Sequence, residues 1–162
     1  MAHASFSISE PKKFFISYKD DSGIDCATHL YESLRKKGVD VFISCEDIEY
    51  DITRGPWREQ VDKALSITKI FILIITATAS TSSEIIREIG IVKDKENVEK
   101  YAFIHKDLWD NPFQTTFRLP NGVEINIKDY NAHHFGNPPE LLRKVYNTIP
   151  LIQQIEIEKL HA

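Results

Sequence analysis

Two cysteines in 162 residues, Cys26 and Cys45, are too few and too far apart for a disulfide framework or a cysteine metal site. Both lie among apolar neighbours, and buried free thiols suit a reducing compartment. Long hydrophobic runs are also missing. The longest, Ile70 to Ile75, falls far short of the roughly 20 residues that cross a bilayer. Met1 to Glu10 has no apolar stretch of the signal-peptide kind. The expected location is therefore cytoplasmic, with no membrane partner. Basic charge is not in excess: 20 Lys and Arg face 24 Asp and Glu, a net charge of -4. The densest basic spots, Lys12-Lys13 and Arg35-Lys36-Lys37, flank core segments, so the counterion-releasing footprint of a nucleic-acid binder is lacking. The six glycines are scattered. Neither G-x-G-x-x-G nor G-x-x-x-x-G-K-[ST] occurs, which argues against dinucleotide-fold dehydrogenases and P-loop NTPases. No G-x-S-x-G elbow is present. His133-His134 has no third ligand at metal spacing, so no metal is expected.

What remains is a regular alternation of apolar runs and amphipathic stretches. Lys13 to Tyr18 reads as a short buried strand, broken by Asp20-Asp21-Ser22-Gly23. From Ile24 to Lys37, apolar residues at 26, 27, 30, 31 and 34 have helical spacing, and Gly38 ends the helix. Val39 to Ile43 is the second strand, followed by a polar loop from Ser44 to Gly55. Pro56 opens a helix that carries Trp57, Val61, Ala64 and Leu65 on one face. Lys69 to Thr76 is apolar without alternation, as a strand covered on both faces must be. A third helix, Ser80 to Val92, and a strand, Tyr101 to Ile104, follow. Phe117 to Leu119 and Val123 to Ile127 flank Pro120-Asn121-Gly122, which predicts a hairpin. Trp109, Phe113 and Phe117 are expected to fill the core of that segment, with a pocket lid or a partner surface as the alternative. Pro138-Pro139 opens a last helix, and Leu151, Ile152 and Ile155 form an apolar stripe expected to pack back on the domain or to serve self-association.

This order predicts an α/β fold, a flavodoxin-like parallel sheet of order 2-1-3-4-5 with helices on both faces and a small hairpin-containing insertion. Residues 1–11 read as an N-terminal tail, 12–150 as one domain with its insertion at about 105–130, and 151–162 as a C-terminal helical extension. In such a sheet ligands sit beyond the carboxyl ends of the strands, where strand order reverses. Ser17 to Ser22 and Thr76 to Glu88 meet there, and both are rich in small or polar residues. Glu88 lies about 60° from Ile85 and about 40° from Val92 around its helix, at the edge of the apolar stripe. A carboxylate there is either partly desolvated and functional or a surface group paired with a lysine.

Phe14-Phe15-Ile16-Ser17-Tyr18 followed by Asp20-Asp21 resembles the first conserved box of Toll/interleukin-1 receptor (TIR) domains. Phe42-Ile43, the loop with Asp47 and Gly55, and Trp57 with Ala64-Leu65 resemble the family's second strand, BB loop and next helix. Ser82 followed six residues later by Glu88 has the serine-to-glutamate spacing of the NAD-cleaving members. The resemblance covers 12–92. It implies Glu88 as the catalytic glutamate, Ser82 and Ser83 at the mouth of the pocket, and Tyr18 and Lys19 lining the nucleotide site. Ile43, Ser44, Cys45 and Asp47 would form the other wall, with Ser17, Asp20, Trp57 and Glu84 as further substrate-contacting candidates. Glu84 stands where an aromatic residue often precedes the glutamate, and its charge one turn away would raise the pKa of Glu88.

The implied chemistry is NAD cleavage at the nicotinamide–ribose bond, with NAD as substrate and no cofactor. Nicotinamide leaves as a neutral molecule, so no second carboxylic acid is needed, unlike in ordinary glycosidases. One anionic carboxylate under an oxocarbenium-like ribose suffices. Products would be nicotinamide and ADP-ribose or a derived, even cyclic, signalling nucleotide, in antiviral immunity of the bacterial or archaeal defence type. Homo-oligomerisation through TIR–TIR contacts and a separate effector protein sensing the product are further implications. The alternatives are a non-enzymatic TIR–TIR interaction module and, more remotely, a nucleoside deoxyribosyltransferase-like enzyme.

Overall fold

The computed structural model describes residues 13–160, with the side chains of Asp20, Glu156 and Lys159 outside the described set. The tail expected at residues 1–11 lies outside the described residues. Strands β1 (Phe14–Ser17), β2 (Val41–Ile43), β3 (Ile70–Ile75), β4 (Glu99–His105) and β7 (Asn131–Phe135) form one parallel sheet in the order β2-β1-β3-β4-β7. Two short strands, β5 (Thr116–Arg118) and β6 (Glu124–Asn126), pair antiparallel beside it. The expected order 2-1-3-4-5 is thus found, with β7 as the fifth strand of the main sheet. His133 and His134 lie in that strand.

All six residues of β3 are buried, which explains its unbroken apolar run. Side-chain alternation sorts the core into two halves. Phe14, Ile16, Ile70, Ile72 and Ile74 face α1 (Asp20–Lys36) and, further along the chain, α6 (Pro138–Thr148). Phe15, Phe71, Leu73 and Ile75 face α3 (Trp57–Ile67) and α4 (Ser83–Val92). Phe117, Leu119 and Ile127 add the hairpin segment to this second half. Each fully buried Leu, Ile or Phe contributes about 1.5–3 kcal/mol, so the two halves dominate the stability of the fold.

Several boundaries differ from the expectation. The first strand ends before Asp20 as expected, but Asp20 to Gly23 already forms the first turn of α1, which was expected from Ile24. Acidic residues are favourable at a helix N-terminus, and Gly23 lets that turn approach β3, where an added Cβ would sit 3.2 Å from Thr76 Oγ1. The helix ends as expected at Gly38, whose φ of 83° permits the reversal. The polar loop after β2 contains a short helix, α2 (Glu46–Glu49), and a 3-10 turn at Ile52–Arg54. The helix expected from Ser80 begins at Ser83, because Thr78 adopts a left-handed conformation and Ala79–Thr81 forms a separate 3-10 turn. In the insertion, Phe117 is buried and Trp109 partly so, whereas Phe113, in α5 (Pro112–Thr115), is 86% exposed. The aromatic cluster expected there is therefore incomplete. A final helix, α7 (Pro150–Leu160), lays Ile152 into the core, with Leu151 and Ile155 packed beside it. Among the described residues, no helix is long and apolar enough to cross a membrane.

Candidate active site

Ser17 is the last residue of β1, Ser44 the first after β2, and Thr76 the first after β3. Parallel strands of matched register bring these three ends to one edge of the sheet. The helix α4 then delivers Glu88 beneath them. Its start is set by Ser82, whose hydroxyl accepts the Ile85 amide at 3.3 Å. With Ile85, Ile89 and Val92 facing the sheet, Glu88 is drawn in with them and is only 1% exposed.

The carboxylate is held at both oxygens. Ser17 Oγ donates to Oε1 at 2.5 Å, and Ser44 Oγ donates to Oε2 at 2.6 Å. Burial pushes the Glu88 pKa up to about 7; the two serine hydroxyls pull it down, Glu84 raises it and Arg87 lowers it. A buried carboxylate without a cationic partner in contact, satisfied only by neutral hydroxyls, is costly to ionise. It is poised to respond to any positive charge brought next to it.

The other candidates are spread around this centre. Lys19 pairs with Asp21 at 3.1 Å. The Asp20 side chain lies outside the described set. Tyr18, Ile43 and Cys45 belong to the core half on the α1 side. Asp47 is exposed on α2. Ser82 spends its hydroxyl on the helix cap, and Ser83 is exposed in the first turn of α4. Glu84 is exposed and bonded to Arg58 at 3.0 Å. Trp57 extends a stack of rings, Phe71–Phe15–Phe42–Trp57, with adjacent centroids 5.4–5.9 Å apart. Tyr50, from the loop after β2, meets Trp57 edge-on. Ser22 bridges the cleft edge, sharing a 2.7 Å hydrogen bond with Thr76 and donating to the Ala77 carbonyl at 2.9 Å.

Sequence reasoning placed Ser17 and Ser44 among substrate contacts and missed that they grip Glu88. The available signal was a serine ending a strand whose every residue is buried. It also passed over Arg58, Arg87 and Arg118, which gather around the outer side of α4. Two histidines singled out earlier are engaged locally: His133 stacks on Phe103, and His134 meets the edge of Trp109 while its carbonyl accepts from Lys144. Among the described residues no three metal-ligating side chains converge.

The family model described as TIR domain matches residues 14–113, more than half of the chain. No curated protein matches it. A solved structure of the TIR domains of the activated Roq1 resistosome directly recognizing the pathogen effector XopQ is similar at 18% identity and a TM-score of 0.49. The match covers 59% of this chain and 58% of that one. The chain thus spans somewhat over half the length of that relative.

Proposed function

We propose that this chain, which belongs to the TIR domain family, cleaves the nicotinamide–ribose bond of NAD with Glu88. The observation that carries this reading is the buried Glu88 carboxylate, held by Ser17 and Ser44 at the strand ends where a ligand is expected. Ribose hydroxyls are donors of the same kind as the two serine hydroxyls that hold the carboxylate. A nicotinamide riboside brings a positive charge, which favours the ionised carboxylate. As the bond to nicotinamide stretches, the charge moves onto the ribose, directly over the anion. Low dielectric around Glu88 strengthens that attraction. Ser44 is half-buried on a loop, whereas Ser17 is fully buried in the sheet. Substrate therefore enters from the Ser44 side, and the loop after β2 yields to admit it. The products are nicotinamide and ADP-ribose or a nucleotide derived from it, made in the cytoplasm as an immune signal for a separate effector.

The direct test is purified protein with NAD, products separated by chromatography and mass spectrometry, beside Glu88→Gln. The wild type is expected to release nicotinamide and the variant to lose about 100-fold or more in rate. Undiminished turnover by Glu88→Gln would overturn the assignment.

A second reading has one specific observation in its favour. Ile48, Tyr50 and Ile52 are all exposed on the loop after β2, at 38%, 40% and 77%. Apolar side chains displayed together fit a contact with another TIR domain. Self-association through this loop is compatible with catalysis. On the adaptor reading, it is the whole function, and loss of Glu88 has no consequence.

A further inference from the structure

Outside the Glu88 site, an open cleft of about 430 Å³ lies along the outer side of α4. Its walls come from three elements: Arg58 of α3, Ser83 and Arg87 of α4, and Arg118 and Pro120 of the hairpin segment. Three guanidinium groups and one carboxylate, Glu84, line it, with Asp62 and Glu124 paired to Arg87 and Arg118 beside it.

Arg87 is the informative residue. Its Nη1 donates to Asp62 of α3 at 2.5 Å. Its Nε and Nη2 are buried and have no hydrogen-bond partner. Those two nitrogens form the side-on edge of a guanidinium, the edge that grips two oxygens of one oxyanion in parallel. Glu84 does not fill it, since Oε2 stands 4.0 Å from Nε while Oε1 is committed to Arg58 at 3.0 Å. Charged donors left unsatisfied in a protein interior are costly, so an arriving oxyanion gains more here than at an ordinary surface arginine.

The surroundings complete the case. The Arg58–Glu84 and Arg118–Glu124 pairs are each more than half exposed on both sides, so either arginine turns to a ligand at little cost. The exposed Ser83 lies on the same rim. Ile86 and Pro120 supply an apolar wall, and the volume suits a ligand of nucleotide size.

We propose that this cleft is a binding site for a phosphate oxyanion, seated on the side-on edge of Arg87 and enclosed by Arg58 and Arg118. Ser17, Ser44 and Glu88 are not among its lining residues, and binding there does not depend on NAD cleavage. The phosphate is that of a small nucleotide or is free inorganic phosphate.

The experiment is a heteronuclear NMR titration of the full chain with AMP, inorganic phosphate and adenosine at fixed ionic strength. Saturable shifts centred on Ser83–Arg87 and Arg118 with AMP or phosphate, and none with adenosine, are expected. AMP binding tighter than phosphate identifies a nucleotide as the source; equal binding identifies the free anion. Arg87→Lys keeps the charge but loses the fork and is expected to weaken binding at least 10-fold. Because Arg87 also ties α4 to α3, Arg118→Ala serves as a second variant that leaves that tie intact, with an expected several-fold loss. Shifts confined to the Ser17–Ser22 and Ser44 region, no saturable binding, or unchanged affinity in a folded Arg87→Lys would each overturn the proposal.

Discussion

At the scale of single residues, Glu88 sets stability and activity against each other. Its ordinary pKa of 4.5 rises to about 7 in the folded chain. Between those values the folded state holds a proton that the unfolded state has released, so stability falls as pH rises through that window and levels off above it. The displacement corresponds to a cost on the order of 3 kcal/mol for keeping the carboxylate ionised inside the protein. Glu88→Gln removes that cost. Thermal melting should therefore show the variant several degrees more stable than wild type at pH 8 and nearly equal to it at pH 5. A gain of the same size at both pH values would mean that ionisation of Glu88 does not strain the fold. Catalysis needs the anion, so kcat/KM for NAD is expected to climb with pH and to flatten above about 7, the value for the free protein. Ser44→Ala withdraws a hydroxyl that favours the ionised form. It should move the midpoint of that profile to higher pH, whereas a serine that merely packs would leave the midpoint in place.

At the scale of elements, α4 matters most, because its start fixes where Glu88 arrives. Ser82 caps the helix through the Ile85 amide, and the 3-10 turn before it is set by Thr78 in a left-handed conformation. Ser82→Ala should cost about 1 kcal/mol in chemical denaturation, and Ser82→Asp should recover most of it through the same acceptor geometry. If both variants unfold at the same denaturant concentration as wild type, the cap contributes nothing. The helix period and the cap were legible in the sequence. So was the placing of Glu88 at the edge of the apolar stripe, although a 40° offset did not reveal burial to 1%. That depth goes with two hydroxyls at the ends of β1 and β2, one of them 71 positions away in sequence. No periodicity within α4 reports on such partners. The first turn of α1 was misread for a similar reason: Asp20-Asp21-Ser22-Gly23 has turn composition, and Ser22 bonds across to Thr76 and Ala77 on the next loop.

At the scale of the whole molecule, the two halves of the core are joined through the sheet, and α7 closes the first of them. Removing residues 150–162 should expose the ground under Ile152, Leu151 and Ile155 and lower stability by about 2–4 kcal/mol while the sheet persists. Equal denaturation midpoints for the shortened and full chains would show that α7 adds no net stability. The amino-acid order was enough to specify the class of fold, the strand order, the Asn121-Gly122 hairpin and the edge of the sheet where polar segments gather. The elements and the hairpin follow from local spacing, since a period of 2 or 3.6 and a turn dipeptide are written in neighbouring residues, and the strand order follows from the flavodoxin-like class that their alternation implies. Three features were settled only by tertiary packing: the double serine grip on Glu88, the exposure of Phe113, and the arginine cleft with the unpartnered edge of Arg87. Each joins side chains from separate elements, and their meeting depends on how strands and helices stack rather than on any pattern along the chain.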